Sequence, residues 1–244
     1  MDRALFVAAT GMAAQQRNLE TIADNLANAD VTGFKASTAL FERILDGTSG
    51  GPGLGTIAAG ERTRFTQGKL EHSGGAYDCA IDGAGLFELR DAHGRSAYTR
   101  AGDFSLDERG LLGRAGWHLV GVRLPQGARG AAIAPDGTVS AQLPGGGSAA
   151  AGRIRLALFA APEHLRRGPD GMFLATPRAG HARLVAPAQG GAGSLVAGSL
   201  ERANVSVIEA MMEILTAQRA YEASAKGVSA ADEMLRVANN LQRN

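Results

Sequence analysis

Both ends of the chain carry apolar residues at sustained seven-residue spacing, and the stretch between them does not. Near the N-terminus Leu5, Met12, Leu19 and Leu26 recur in this way, with Ala8, Gln15, Ile22 and Ala29 as a second seam. Near the C-terminus Val207, Ile214, Tyr221, Val228 and Leu235 do the same, with Met211, Gln218 and Ala225 beside them. Such spacing marks helices that bury a seam against another helix. Each end therefore needs a helical partner. The opposite end of the chain is the nearest candidate, and other copies are the next.

A first helix from about Asp2 to Ala29 would be roughly 40 Å long, and one from Asn204 to Leu241 about 55 Å, at the helical rise per residue. Helices of that length overhang a small β domain and so are expected to pack beyond it. Asp2 and Glu209 suit the positive N-terminal ends of the two helices, and Asn204 is the expected cap of the second. Gly11 is a weak point in the first, costing roughly 1 kcal/mol relative to Ala. Turn residues Asp30-Val31-Thr32-Gly33 end that helix. A short amphipathic stretch follows, Phe34 to Leu45, with Leu40, Phe41, Ile44 and Leu45 on one face.

The middle is different in kind. Glycine numbers 34 of 244 residues, about twice the usual share, which favours turns over helix. Gly47-Thr-Ser-Gly-Gly-Pro-Gly53 reads as a linker. Beyond it Cys79–Ile81, Leu86–Leu89, Ala97–Arg100, Trp117–Val122 and Ile154–Phe159 read as strands. Asp82-Gly83, His93-Gly94, Glu108-Arg-Gly110, Pro135-Asp-Gly137 and Pro169-Asp-Gly171 read as turns between them. Pro144 to Ala151 reads as a long loop, and Gly190 to Gly193 as a hinge. The expected class is α+β: long N- and C-terminal coiled-coil helices packed together, with a central antiparallel β-rich domain. The expected blocks are 1–46, 47–196 and 197–244.

Several function classes lack support. The net charge is +1 and the basic residues are dispersed, so no nucleic-acid partner is indicated. No apolar run is long enough for a membrane span. The N-terminus has no basic region followed by an apolar run and a cleavage site, so no cleavable signal is expected. The lone Cys79 excludes an internal disulfide and sits in an apolar alternation. His72, His93, His118, His164 and His181 are scattered, without zinc-ligand spacing. Gly83-Ala-Gly85 lacks the third glycine and the helix of a dinucleotide fingerprint, and reads as a hairpin turn. No catalytic, cofactor-binding or metal site is expected, and no enzyme.

Polar residues inside the seams allow two readings each. Gln15 and Gln218 are tolerated at a helix surface, or they set register between helices. Asn25 and Asn28 form a helix-terminating network, or they contact a neighbouring subunit.

The segment Ile22-Ala-Asp-Asn-Leu-Ala-Asn-Ala-Asp-Val-Thr-Gly-Phe-Lys35 resembles the N-terminal signature of the bacterial flagellar rod and hook proteins. Gly198-Ser-Leu-Glu201, Asn204-Val205, Gln218-Arg-Ala-Tyr-Glu222, Asp232-Glu-Met-Leu235 and Ala238-Asn-Asn-Leu241 are similar to that family's closing motif. Tyr98-Thr-Arg-Ala-Gly-Asp-Phe104, with Asp107, Gly110 and Leu111, resembles its central β motif. Asp24 stands where Asn is usual, Ala203 replaces a usual Ser, and Ser224 a usual Asn. The closing motif is nearer the distal rod type, and the length and short stretch from Phe34 to Asp78 are nearer the proximal type.

The resemblance implies a structural, torque-transmitting subunit of the basal-body rod in the periplasm. It implies unfolded export through the flagellar type III apparatus, then helical stacking with copies of itself and other rod and hook proteins. The terminal helices would line a central channel and the β domain would lie outside. The assembly interface implied is Leu5, Met12, Leu19, Ile22, Asn25, Leu26, Asn28, Gly33 and Phe34, with Val207, Met211, Ile214, Gln218, Tyr221, Val228 and Leu235. A hook-type or accessory axial paralogue is the alternative, as is a non-flagellar binding module with a helical stalk. The seams predict that Leu19→Asp or Ile214→Asp blocks assembly and leaves the β domain folded. Wild-type motility in either variant contradicts them.

Overall fold

The heptad-spaced segments are helical. In the computed structural model, which describes residues 2–44, 55–128 and 130–242, α1 spans Asp2–Ala27 and α2 spans Val207–Gln242. Between them lie many antiparallel strands, so the class is α+β. The described residues group into two compact units. One takes them from 1–27, 37–62 and 205–244, and the other from 28–36 and 63–204. This division differs from the blocks 1–46, 47–196 and 197–244. Residues 28–36 group with the β-rich unit, and residues 55–62 with the helices.

In the helical unit α2 packs on α1. Along α1, Leu5, Ala8, Met12, Gln15 and Leu19 are half-buried and Ile22 is buried. Along α2 the buried or half-buried line is Ala210, Ile214, Ala217, Ser224, Val228 and Ala231. One expected α2 seam is present only in part: Ile214 and Val228 are half-buried, and Val207 and Tyr221 are exposed. The second runs through Ala210, Ala217, Ser224 and Ala231, one residue before Met211, Gln218 and Ala225. Small side chains at these positions let the two backbones approach closely. A Cβ on Gly11 would stand 3.6 Å from the Ser224 hydroxyl oxygen.

α1 has a second buried line, which faces a two-stranded sheet of Ser37–Ile44 and Gly55–Thr63. Ala14, Thr21 and Asn25 are buried on it. The Thr56 N–H donates to the Thr10 hydroxyl at 3.4 Å, and the Thr21 hydroxyl donates to the Glu61 carboxylate at 3.4 Å. Asn25 is bound twice to Ser37: its amide donates to the Ser37 carbonyl at 2.7 Å and its oxygen accepts the Ser37 N–H at 2.8 Å. Residues 37–44, expected within a helical block, are therefore a strand. Asn25 holds the Ser37 peptide from the side, and burial alternates from Ser37 through Ala39. Leu45 and the expected linker Gly47–Gly53 lie outside the described residues.

The β-rich unit is organised about the strand Leu86–Arg90, which pairs with Ser96–Thr99, Trp117–Leu119 and Leu156–Leu158. Its apolar run is explained by burial on both faces. Phe87 and Leu89 enter the larger apolar cluster with Leu112, Ile154 and Leu156, and Leu86 enters a smaller one with Tyr98, Phe173 and Ala157. The Phe87 and Phe104 rings meet edge to face at 5.1 Å, the geometry aromatic quadrupoles favour. Strands 130–133, 138–142 and 148–153 form a separate meander. Its last strand occupies Ser148–Arg153, where a loop was expected. Only Leu143–Gly147 turns, closed by the Leu143 N–H to the Gly147 carbonyl. Gly83–Gly85 is not a hairpin turn either. It joins Cys79–Asp82, paired with Ser194–Ala197, to Leu86–Arg90 in another sheet.

The space beside Gly11 admits a methyl group in ordinary contact, so helix propensity decides the outcome. Gly11→Ala is expected to stabilise the helical unit by up to about 1 kcal/mol, read from thermal unfolding by circular dichroism. A lower melting temperature contradicts the close packing described at Ser224.

Candidate functional site: a buried charge cluster and an exposed apolar helix face

Three charged side chains meet inside the β-rich unit. The Lys35 ammonium lies 2.5 Å from one Glu201 carboxylate oxygen, and the Arg100 Nε lies 2.7 Å from the other. The Lys35 and Glu201 side chains are 1% and 0% exposed, so solvent screens neither bond. Backbone groups supply further hydrogen bonds. Lys35 donates to the Thr66 carbonyl, Gly68 N–H donates to Glu201, and Arg100 donates to the carbonyls of Ile81, Gly83 and Gly85. Two cations share one anion. Burial pushes the Lys35 ammonium below its usual pKa, against the pull of Glu201.

Local structure brings these groups together. Gly33 adopts a φ of +66°, and a Cβ there would stand 2.3 Å from the Ala101 nitrogen, so only glycine fits the turn that aims Phe34 and Lys35 inward. The Gly33 N–H donates to the Glu201 carbonyl at 2.7 Å. Phe34 is buried with the Arg167 guanidinium 4.5 Å above its ring, and Arg167 also donates to the Lys35 carbonyl. Asn204, expected to cap α2, instead accepts the Ala36 N–H and donates to the carbonyls of Arg64 and Thr66. The cap of α2 is Ser206, whose hydroxyl accepts the Glu209 N–H at 3.3 Å.

Several residues expected at an interface between subunits are therefore internal. Ile22 and Asn25 are buried in the helical unit, and Gly33 and Phe34 in the β-rich unit. Three of them make their contacts within the chain: Asn25 binds Ser37, the Gly33 N–H donates to the Glu201 carbonyl, and Phe34 lies under the Arg167 guanidinium. Leu5, Met12, Leu19, Leu26, Asn28, Ile214 and Val228 are half-buried. Val207, Met211, Gln218 and Tyr221 are exposed. Leu235 belongs to α2, and its side chain lies outside the described residues.

The exposed face of α2 is the second feature. Ile208 is 75% exposed, Met212 64% and Leu215 57%. With Met211 they form a stripe at helical spacing beside the seam that meets α1. Met234 and Val237 are exposed further along, as are Phe6 and Val7 of α1. Ile208, Met212 and Leu215 fall outside the seven-residue seams, because two adjacent seams mark only one stripe of a helix. The doubled apolar pairs Val207-Ile208 and Met211-Met212 are the signal of two. The pairing of Lys35, Arg100 and Glu201 likewise leaves no periodic signal, although each residue stands in one of the family-like motifs. An acid and two bases among apolar and glycine residues was the available sign.

No group of three His, Cys, Asp or Glu side chains among the described residues is placed to hold a metal ion. No described helix is long and apolar enough to cross a membrane.

Three family models match the chain: "Flagella basal body rod protein" over residues 5–35, "Flagellar hook protein FlgE/F/G D1 domain" over 80–141, and "Flagellar basal body rod FlgEFG protein C-terminal" over 196–241. The flagellar basal-body rod protein FlgG of Caulobacter vibrioides is 36% identical, over 98% of this chain and 99% of its own. The chain belongs to the flagellar basal-body rod protein family. FlgG of Borreliella burgdorferi is 35% identical over 100% of both chains, and the rod protein FlgF of Escherichia coli 30% over 99% and 98%. Each matched segment of this rod-family chain contributes one member of the buried cluster: Lys35, Arg100 and Glu201.

Glu201→Gln leaves two buried cations without an anion and is expected to cost about 3–5 kcal/mol. Lys35→Met leaves Arg100 and Glu201 as a balanced pair and is expected to cost less than half as much. Urea unfolding of both variants measures the difference, and equal losses contradict the shared-anion account.

Proposed function

We propose that this chain is a structural subunit of the bacterial flagellar basal-body rod, joining copies of itself and other rod and hook proteins through its terminal helices. It is a structural protein and not an enzyme, as its family is one of rod proteins. The observation that carries the assembly mode is the apolar stripe Ile208, Met211, Met212 and Leu215. Four large side chains at one helix face, each more than half exposed, exceed the scattered exposure ordinary in a monomer. Burying them between subunits supplies stability that one chain lacks.

A rod needs a contact that repeats without closing, and a stripe that meets a different surface on the next copy provides one. The half-buried seam residues Leu5, Met12, Leu19, Ile214 and Val228 hold α1 and α2 as a paired, coiled-coil-like unit that presents the stripe. Val207, Gln218 and Tyr221 extend the exposed face. Delivery by the type III export apparatus without signal cleavage, a periplasmic position and torque transmission complete the proposal. Identities of 36% and 35% to the FlgG proteins of Caulobacter vibrioides and Borreliella burgdorferi, against 30% to the FlgF of Escherichia coli, support the distal part of the rod.

Replacing Ile208 and Met212 by Glu is expected to abolish incorporation into basal bodies while the monomer keeps its circular dichroism spectrum. Normal rods in that strain contradict the stripe as the contact. Electron cryo-tomography of a strain lacking the gene tests the assignment itself. Loss of the outer stretch alone supports the distal position, and loss from near the base moves it to the proximal one. A complete rod and hook overturns it in favour of an accessory paralogue.

A further inference from the structure

The last segment of the β-rich unit binds several segments that arrive early in the chain. Ser194–Ala197 pairs with Cys79–Asp82, and Ser199–Glu201 pairs with Leu70–His72, each as a two-stranded sheet. Leu195 is buried in the larger apolar cluster. The Arg202 N–H donates to the Lys69 carbonyl, and Asn204 holds Ala36, Arg64 and Thr66. Glu201 is the anion shared by Lys35 and Arg100, across sequence separations of 166 and 101.

Without this segment the unit has no acceptable closed form. Lys35 and Arg100 would be buried with backbone carbonyls as partners and no counter-charge. An unpaired buried charge removes a large part of a domain's marginal stability. The strands 70–72 and 79–82 would also lose the partners that satisfy their backbone groups. Contacts that span so much chain carry a high closure entropy and form late.

We propose that residues 194–204 are a latch: the β-rich unit stays open until they join it, with Glu201 as the group that closes it. A chain delivered N-terminus first therefore gains the stable unit only after residue 204 is available. The consequence rests on the proposed rod assignment and its export route. A subunit that must travel unfolded gains time in an unfolded state from a closing residue placed this late.

The test is pulse-labelled amide exchange during refolding of the full-length monomer. The amides of Leu86–Arg90 and Ser96–Thr99, two strands that pair with each other and not with residues 194–204, are expected to gain protection in the same phase as Ser199–Glu201. In Glu201→Gln their protection is expected to fall at least about tenfold, as loss of a buried counter-charge requires. Glu108→Gln, at an exposed position outside the contacts of residues 194–204, is the control and stays within about twofold, since surface substitutions away from such features change stability little. Protection of Leu86–Arg90 before Ser199–Glu201, or unchanged protection in Glu201→Gln, overturns the latch and leaves the rod assignment standing. A complete rod in the deletion strain overturns the assignment and leaves the order of exchange protection unaffected.

Discussion

The carboxylate of Glu201 holds the β-rich unit together because Lys35 and Arg100 share it and form no other ion pair among the described residues. A buried ion pair is a weak source of net stability, since desolvation offsets most of the attraction. Its value lies in what it forbids. Any arrangement that separates Glu201 from Lys35 and Arg100 leaves charge stranded in an apolar interior, so alternatives to the native pairing are strongly disfavoured. Three chain segments far apart in sequence are thereby fixed to one geometry. The turn at Gly33, the carbonyls at residues 81–85 and the backbone around Asn204 all follow from it.

The helical unit works by the opposite logic. Its internal seam is built from alanine, serine and glycine on one side, which brings two helices close but buries little apolar area per residue. Apart from Ile214 and Val228, the larger side chains of the first turns of α2 lie outside it, in the stripe of Ile208, Met211, Met212 and Leu215. A unit with a thin internal seam and a thick external stripe is better satisfied among copies than alone. The β-rich unit, with its charge cluster and two apolar clusters, is self-sufficient in comparison. The division of labour between a self-contained unit and one completed by neighbours suits a structural subunit of the rod family.

Much of this was legible from local pattern. The strands at Cys79, Leu86 and Ser96 showed as short apolar runs between turn residues, and motif order along the chain pointed to the family. Other features were misassigned where a side chain acts at a distance. Residues 37–44 follow helical spacing in part, yet Asn25 clamps Ser37 into a strand. Asn204 has the composition of a helix cap, yet its amide binds Arg64 and Thr66 while Ser206 caps α2. The alanine-rich stretch 148–153 looks like loop beside Pro144 and its glycines, yet it completes a meander. Gly83 and Gly85 look like a hairpin, yet they bridge two sheets and present carbonyls to Arg100.

The sequence by itself determined that α1 and α2 are helices and that the chain between them is β-rich. Helical period and turn chemistry are properties of neighbouring residues and need no knowledge of the fold. It also determined that apolar faces exist on both helices, since spacing sets which residues share a face. Tertiary structure alone decided which face is spent inside the chain. The choice between Ala210 and Met211 as a seam residue depends on how closely two backbones approach. Tertiary structure alone likewise decided that Lys35 and Arg100 meet Glu201. Partners separated by 166 and 101 positions leave no local trace, because only the folded chain brings their charges within reach of one another.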